Sequence, residues 1–256
     1  MRRLTRKAVD EFGNMYRVPL NMRSMLNLNI LKLLNKTRRF GEYDLPELLC
    51  NTKIIPDYIA LYSQKNLYHC TPLTCVAFYE YDYKFDGPNG LFNAIYYNNT
   101  KLLEEYKERF KNVRIFIAPD YSVFGDVNKL INLIQIWKAR IVALWFTIEL
   151  SAVVIPNITY SSEKCFSEYF AGLENCSVVA FSTKGHIRSK NERNLTKAAV
   201  KYVVDHFPLK VIIVYSVCGN DEKTYNLFRY AREKGVSVVI PNNLLRTRNK
   251  ELKNGK

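Results

Sequence analysis

The chain has 256 residues, 48% of them hydrophobic, so it can bury one large core without a disulfide framework. Its six cysteines are scattered, which predicts a reducing compartment. Neither a secretory signal nor an uninterrupted membrane span is evident, which predicts a cytoplasmic protein with no membrane partner. The formal net charge is +14, and residues 1–39 carry ten Lys and Arg against two acids, while residues 244–256 carry five against one.

Residues 1–60 are predicted to form a basic helical extension with a connector. Apolar side chains in residues 21–34 recur at helical spacing, and basic residues follow them, where cations favour the helix dipole. Residues 41–57 contain Pro46 and Pro56 with few periodic apolar residues, which predicts a loop-rich connector.

Residues 61–243 are predicted to form the core domain. Short apolar runs, rich in Val and Ile, alternate there with stretches of helical spacing, a pattern typical of a parallel sheet whose strands are buried on both faces. The predicted strands are residues 74–79, 113–119, 152–156, 177–182, 210–216 and 236–241, and the predicted helices are residues 91–110, 126–150, 163–170, 191–206 and 222–234.

This alternation predicts an α/β fold and leaves two arrangements open. Parallel strands of this number can form an open, doubly wound sheet or an incomplete, TIM-barrel-like one. We favour the second, because polar residues follow nearly every strand instead of clustering at one switch point. Residues 141–148 are bulky enough for a strand, but the helical spacing continues through them, so we predict one long helix there.

Acidic residues after the first two predicted strands are candidates for catalysis. Asp120 follows the strand at residues 113–119, where a carboxylate needs partners, and Asp82 and Asp86 follow the preceding strand, so the three carboxylates can form a general-base or metal cluster. Asp126 is better explained as the cap of the long helix. The single grouping of His69, Cys70 and Cys75 lacks a second ligand pair, so we predict no zinc site.

The turn at residues 182–188 is a candidate anion site. It lies between a predicted strand and a predicted helix and combines hydroxyls, a glycine and cationic side chains, although it lacks the spacing of a P-loop. The alternative is an exposed basic turn with local hydroxyl caps. The candidate anion-binding residues are Ser182, Thr183, Lys184, His186 and Arg188.

The basic extension and the predicted basic tail at residues 244–256 are typical of arms that bind a polyanion, because neutralised phosphates release counterions. The alternative is that basic termini only keep the chain soluble. The candidate nucleic-acid-binding residues are Arg2, Arg3, Arg6, Lys7, Arg38, Arg39, Arg246 and Arg248.

Three segments resemble a known family: APDYSVF at residues 118–124, VIPNITY at residues 154–160 and VVAFSTKG at residues 178–185. Together with their spacing, they resemble the bacterial domain-of-unknown-function family 4417, over roughly residues 56–242. The resemblance implies an α/β fold and a phage or mobile-element setting. It assigns no catalytic residue and no cofactor, and it does not reach the basic first forty residues.

Three functions are therefore open. The leading hypothesis is a nucleic-acid-associated protein of a phage or mobile element, with basic termini on phosphate and a strand-end site for a nucleotide or strand terminus. The second is a nucleotide- or sugar-directed enzyme that uses Asp120 and the turn at residues 182–188. The third is a phage factor that binds a host protein without catalysis.

Overall fold

The structure, a computed structural model, describes residues 5–9, 13, 15–19 and 29–254. Its first elements are an antiparallel hairpin of β1 (Thr5–Val9) and β2 (Met15–Pro19), helix α1 (Asn29–Leu34) and a short antiparallel pair, β3 (Arg39–Phe40) with β4 (Leu45–Pro46). The extension predicted as helical is thus helical only in part among the described residues. Most of the helix predicted at residues 21–34 lies outside them.

Parallel strands alternate with helices along the rest of the chain, which confirms the predicted α/β fold. The parallel strands are β5 (Tyr58–Leu61), β6 (Thr74–Ala77), β7 (Ile115–Ile117), β8 (Val153–Ile155), β9 (Val178–Ser182), β10 (Val211–Tyr215) and β11 (Ser237–Val239). One sheet has the order β5-β6-β7-β8 and the other has the order β11-β10-β9.

The parallel strands fall into two sheets and do not close into one continuous barrel. Single parallel bridges link the sheet edges, one joining Asn157 to Ala180 and the other joining Tyr58 to Asn242. At the first seam, Ala180 N–H donates to the Pro156 carbonyl at 2.8 Å. The loops after β8 and β9 are therefore neighbours although the two strands belong to different sheets.

Helices connect these strands, with differences from the predicted elements. The helix predicted at residues 222–234 is divided in two at Phe228. The helix predicted at residues 91–110 is broken, because Asn98 adopts a φ of 52° and Asn99 caps a new helix by accepting a hydrogen bond from Leu102 N–H. The predicted basic tail is helical over its described residues, 244–254. The helices are α2 (Leu91–Tyr96), α3 (Thr100–Arg109), α4 (Lys129–Glu149), α5 (Phe166–Tyr169), α6 (Lys190–His206), α7 (Asp221–Leu227), α8 (Arg229–Glu233) and α9 (Leu244–Asn254), with 3-10 turns at Lys65–Leu67, Asp82–Lys84 and Glu163–Cys165.

Helix α4 is the central packing helix, and it is continuous across residues 141–148 as predicted. Its cap is Asn128, whose Oδ1 accepts a hydrogen bond from Leu130 N–H at 2.8 Å, and not the predicted Asp126. Its Phe146 ring stacks on Phe116 of β7, with ring centroids 4.0 Å apart and an interplanar angle of 7°. Among the described helices, α4 alone has the length and mean hydropathy of a membrane-spanning segment. Of its apolar 18-residue stretch, 56% is buried inside the protein. Its apolar face is thus used to pack against the sheet.

Candidate functional site

A cavity of about 280 Å³ opens at the carboxyl ends of β6, β7, β8 and β9, and we call it the strand-end cavity. Parallel strands place their carboxyl ends at one edge, so the loops that follow them meet there. The lining residues are Tyr79, Glu80, Tyr81, Asp120, Tyr121, Ser122, Val123, Phe124, Thr159, Lys184, Gly185, His186 and Arg188. Asp120 and part of the predicted anion turn therefore share one cavity.

Asp120 belongs to a hydrogen-bond network that joins three strand ends. Its Oδ1 accepts hydrogen bonds from Asn157 Nδ2 at 2.7 Å and from Thr159 Oγ1 at 3.0 Å. The Tyr79 hydroxyl donates to Asn157 Oδ1 at 2.8 Å, which orients the amide so that its Nδ2 points at the carboxylate. The other oxygen, Asp120 Oδ2, has no hydrogen-bond partner among the described residues and remains available to a ligand.

Burial raises the pKa of Asp120, because the protein atoms around the carboxylate leave it only partly hydrated, and repulsion by Asp82 adds to this rise. The nearby imidazole of His186 and the hydrogen bonds from Thr159 and Asn157 act in the opposite direction without cancelling the effect of burial. The result is a carboxyl group whose pKa lies above its usual range, beside a histidine. Such pairs are found at proton-transfer sites and also in structural networks.

The other two candidate acids do not line the strand-end cavity. Asp82 holds the loop after β7, since its carboxylate accepts hydrogen bonds from the backbone N–H of Ser122 at 3.1 Å and from Ser122 Oγ at 2.9 Å. Asp86 forms an ion pair with Lys138 of α4. The predicted cluster of three carboxylates therefore does not form, and Asp82 positions a cavity loop instead.

The first two residues of the predicted anion turn are used inside the protein. Ser182 Oγ accepts a hydrogen bond from Lys184 N–H at 3.0 Å, and Thr183 Oγ1 accepts one from Val217 N–H at 3.0 Å. Thr183 is fully buried. Both hydroxyls thus shape the turn, and they are not among the residues that line the cavity.

The cationic members of the turn do reach the cavity. Lys184 Nζ donates to the Tyr79 carbonyl at 2.6 Å, and burial lowers the pKa of this lysine. His186 lies beside Tyr160, with ring centroids 5.2 Å apart, and Arg188 is exposed at the rim. Two of these three side chains, those of His186 and Arg188, make no hydrogen bond to the described residues.

Ser189, the residue after Arg188, fixes the start of α6. Its Oγ accepts a hydrogen bond from Glu192 N–H at 3.1 Å, while Glu192 Oε2 accepts one from Ser189 N–H at 2.7 Å. This reciprocal pair is a capping box, which holds the entry of the chain into the helix. The cationic turn is therefore anchored on a defined helix end.

Sequence reasoning missed Tyr79, Asn157 and Thr159 as site residues. Each follows a strand, so the rule that selected Asp120 also selects them once the strand ends are known. The tyrosine-rich loop after β6 suggests either stacking on bases or half-buried packing, and two of its rings are exposed: Tyr81 and Tyr83 stack with centroids 5.8 Å apart at 13°, and they are 68% and 76% exposed. Within the part of the chain that the structure describes, no group of three His, Cys, Asp or Glu side chains is placed to hold a metal ion.

Two of the predicted nucleic-acid-binding arginines have structural roles. Arg246 is buried, and its guanidinium pairs with Asp221 at 2.7 Å and donates to Asn242 Oδ1 at 2.6 Å, so it must be removed from the set. Arg38 is exposed but forms a two-point pair with Glu47, at 2.7 and 2.8 Å.

The remaining members of the set are placed differently. Arg39 and Arg248 are exposed and keep their predicted role as a hypothesis. The backbone of Arg6 and Lys7 lies in β1, in the hairpin of the extension. Arg2 and Arg3 lie outside the described residues.

Comparisons with known proteins agree with the resemblance carried by the strand-end segments. The family model described as Domain of unknown function (DUF4417) matches residues 38–231. The chain is also 22% identical over 189 residues to Gene 1 protein of Mycobacterium phage L5, covering 73% of this chain and 77% of that protein. No solved structure gives a significant match. Because the family model spans more than half of the chain, including every strand end of the cavity, this protein belongs to the DUF4417 family, a phage-associated domain of unknown function.

Proposed function

We propose that this protein is a nucleic-acid-associated phage protein that binds the phosphorylated end of a strand in the strand-end cavity. The observation that carries the proposal is the convergence of Lys184, His186 and Arg188 on one wall of a cavity that also holds Asp120. Side chains with N–H donors of this kind bind phosphate oxygens, while a carboxylate accepts hydrogen bonds from sugar hydroxyls or base amino groups. The cavity thus offers a binding partner for the phosphate of a nucleotide and another for its sugar or base.

The size of the cavity and its surroundings support the same ligand class. A volume of about 280 Å³ admits a single nucleotide-sized group at its mouth and is at the small end of ligand pockets. The exposed Tyr81 ring lies at this mouth, and aromatic rings of this kind stack on bases without reading sequence. The net charge of +14 favours an anionic partner over long range.

Fluorescence anisotropy with short labelled oligonucleotides, with and without a 5′-phosphate, tests the proposal. We expect the phosphorylated strand to bind more tightly, and we expect affinity to fall as salt rises, because counterions compete for the same phosphates. Arg188→Ala should remove most of the preference for the phosphate. Arg229→Ala, an exposed arginine on α8 outside the cavity lining, is the matched control and should keep it.

Two results would contradict the proposal: affinity that does not change with salt, or equal binding of phosphorylated and unphosphorylated ends by the unaltered protein. The role of the basic termini is tested separately by removing residues 1–28 and by Arg248→Ala. Removing residues 244–256 is not an equivalent test, because these residues include α9 and the buried Arg246.

A second candidate function is a nucleotide- or sugar-directed enzyme. The raised pKa of Asp120, its open Oδ2 and the neighbouring His186 favour it, since a proton-transfer group works best with a pKa near the operating pH. Turnover screening on nucleotides and glycosides, with Asp120→Asn as the comparison, separates the two functions. Product formation that Asp120→Asn abolishes supports the enzyme, while unchanged strand binding without turnover supports the binding protein.

A further inference from the structure

A second, larger cavity lies next to the strand-end cavity at the carboxyl end of β10. It has a volume of about 650 Å³, and we call it the basic cavity. Its walls come from α6, α7, α9 and the loop after β10. The lining residues with charged or amide side chains that carry the argument are Arg193, Lys197, Lys223, Asn226, Asn249 and Lys253.

The charged residues of this lining all carry positive charge. Four cations, Arg193, Lys197, Lys223 and Lys253, surround the space, and no Asp or Glu is among the lining residues. The side chains of the three lysines form no hydrogen bond or ion pair with the described residues. Four like charges around one cavity repel each other, and an anion between them offsets this repulsion.

Helix stability does not explain the positions of Lys197 and Lys223. Lys223 lies in the first turn of α7, where the helix dipole disfavours a cation, and Arg193 and Lys197 lie in the first half of α6. By contrast, Lys250 of α9 pairs with Asp221 at 2.9 Å and has a structural reason to be where it is. Arg193 holds the turn before α6, since its Nη1 donates to the carbonyls of Ile187 at 2.9 Å and Arg188 at 3.2 Å, and Lys253 lies in the last turn of α9, where the dipole favours a cation. Lys197 and Lys223 are thus the lining cations that are placed for a partner other than their own helices.

Amide side chains add neutral hydrogen-bonding groups to the same walls. Asn226 makes no hydrogen bond to the described residues, so its amide oxygen and nitrogen are both open. Asn249 uses its Nδ2 to donate to the Val217 carbonyl at 2.7 Å, which leaves its Oδ1 available. Open amides beside cations suit a ligand that combines phosphates with sugars or bases.

The two cavities share one short wall, the turn between β9 and α6. His186 and Arg188 line the strand-end cavity, while Ile187, the residue between them, lines the basic cavity. The wall between the two cavities is therefore only one or two residues wide, so a strand that leaves one cavity can pass directly into the other. Tyr81 and its stacking partner Tyr83 extend this path on the exposed surface beside the strand-end cavity.

We infer that the basic cavity binds backbone phosphates of a single-stranded nucleic acid whose end enters the strand-end cavity, an inference that rests on the proposed function. A single strand fits better than a duplex, because the strand-end cavity has room for one nucleotide-sized group and the exposed Tyr81–Tyr83 pair offers a face for an unpaired base. Arg193, Lys197, Lys223 and Lys253 contact the phosphates behind the terminal nucleotide.

The test is the salt dependence of binding for the double variant Lys197→Ala/Lys223→Ala. The probe is a labelled 12-nucleotide single strand with a 5′-phosphate, as DNA and as RNA, with a duplex of the same sequence for comparison. Each lost phosphate contact on a single strand removes about 0.7 from the slope of log affinity against log salt, so the slope should shrink by about 1.4. Lys101→Ala/Lys210→Ala, two exposed lysines outside both cavity linings, is the matched control and should leave the slope unchanged.

The same measurements distinguish failure of the inference from failure of the proposed function. The double variant should keep the 5′-phosphate preference, because the strand-end cavity is untouched, whereas Arg188→Ala should lose it. A slope equal to that of the control overturns the role of the basic cavity, even if the phosphate preference persists. A reduced slope without any phosphate preference overturns end recognition and leaves the basic cavity as a strand-binding surface. Duplex binding as tight as single-strand binding overturns the choice of a single strand.

Discussion

The ammonium group of Lys184, at the end of β9, donates a hydrogen bond to the carbonyl of Tyr79, at the end of β6, over 2.6 Å. These strands belong to different sheets, so the bond spans the mouth of the strand-end cavity. It holds the cationic turn against the loop that contains Tyr79. The Tyr79 hydroxyl orients the Asn157 amide, which in turn donates a hydrogen bond to Asp120. The geometry of the proposed phosphate site thus depends on one lysine that crosses between sheets.

Replacing this lysine with an apolar residue of similar length should loosen the cavity mouth. Lys184→Met removes the bond to the Tyr79 carbonyl, and we expect it to lower the free energy of unfolding by about 1–2 kcal/mol, since the loss of a charged hydrogen bond is partly offset by relief from burying the ammonium group. Urea denaturation measures the loss. Lys101→Met, on the exposed side of α3, should change stability little, and a Lys184→Met variant as stable as this control would refute the bridging role.

The raised pKa of Asp120 predicts a pH-dependent gain in stability on removal of its charge. Because the pKa of Asp120 is higher in the folded protein than in the unfolded chain, the protonated carboxyl group stabilises the fold. This stabilisation is fully present below the unfolded pKa and is lost as pH rises through the folded pKa. Asp120→Asn has no charge to lose and keeps an oxygen for Asn157 and Thr159. We therefore expect its unfolding free energy, relative to the unaltered protein, to increase between about pH 4 and pH 7.

Urea denaturation at several pH values measures this difference for Asp120→Asn. Asp126→Asn is the control, because Asp126 is exposed and makes no hydrogen bond to the described residues. Because it alters an exposed side chain, its unfolding free energy should stay within about 0.5 kcal/mol of that of the unaltered protein. A flat profile for Asp120→Asn as well would show that burial does not raise the pKa of this carboxyl.

Much of the fold could be predicted from periodicity, and the errors have local causes. Strand β5 (Tyr58–Leu61) was missed because it lies two residues after Pro56, in a segment that otherwise has loop composition. The break at Asn98 was missed because apolar spacing continues across it, and asparagine tolerates a left-handed backbone without the punctuation that a glycine gives. Both features depend on tertiary context more than on the local pattern.

The candidate site was predicted in position but not in detail. Polar residues that end parallel strands had to meet at one edge, which correctly placed Asp120, Lys184, His186 and Arg188 together. Sequence alone could not show which polar groups are used inside the protein. The Thr183 hydroxyl accepts a hydrogen bond from Val217 N–H, and Val217 lies in the loop after a different strand, β10.

The two arginines of α9 should behave differently although both were predicted to bind nucleic acid. Arg246→Ala leaves Asp221 and Asn242 without their buried partner, and we expect a loss of about 2–3 kcal/mol in the free energy of unfolding. Arg248→Ala removes an exposed side chain and should change stability by less than about 0.5 kcal/mol. Equal thermal denaturation temperatures for the two variants would contradict the buried assignment of Arg246.

The stacked pair of Phe146 and Phe116 predicts how strongly α4 holds the four-stranded sheet. Phe146 is fully buried and lies 4.0 Å from Phe116 in centroid distance, so Phe146→Ala removes an aromatic pair and leaves a cavity beside β7. We expect a loss of about 3–5 kcal/mol, measured by urea denaturation. Ile134→Ala, on the exposed face of the same helix, is the control and should cost less than about 1 kcal/mol, because its side chain is 49% exposed. Similar losses for both variants would show that α4 does not pack on the sheet through the Phe146 face.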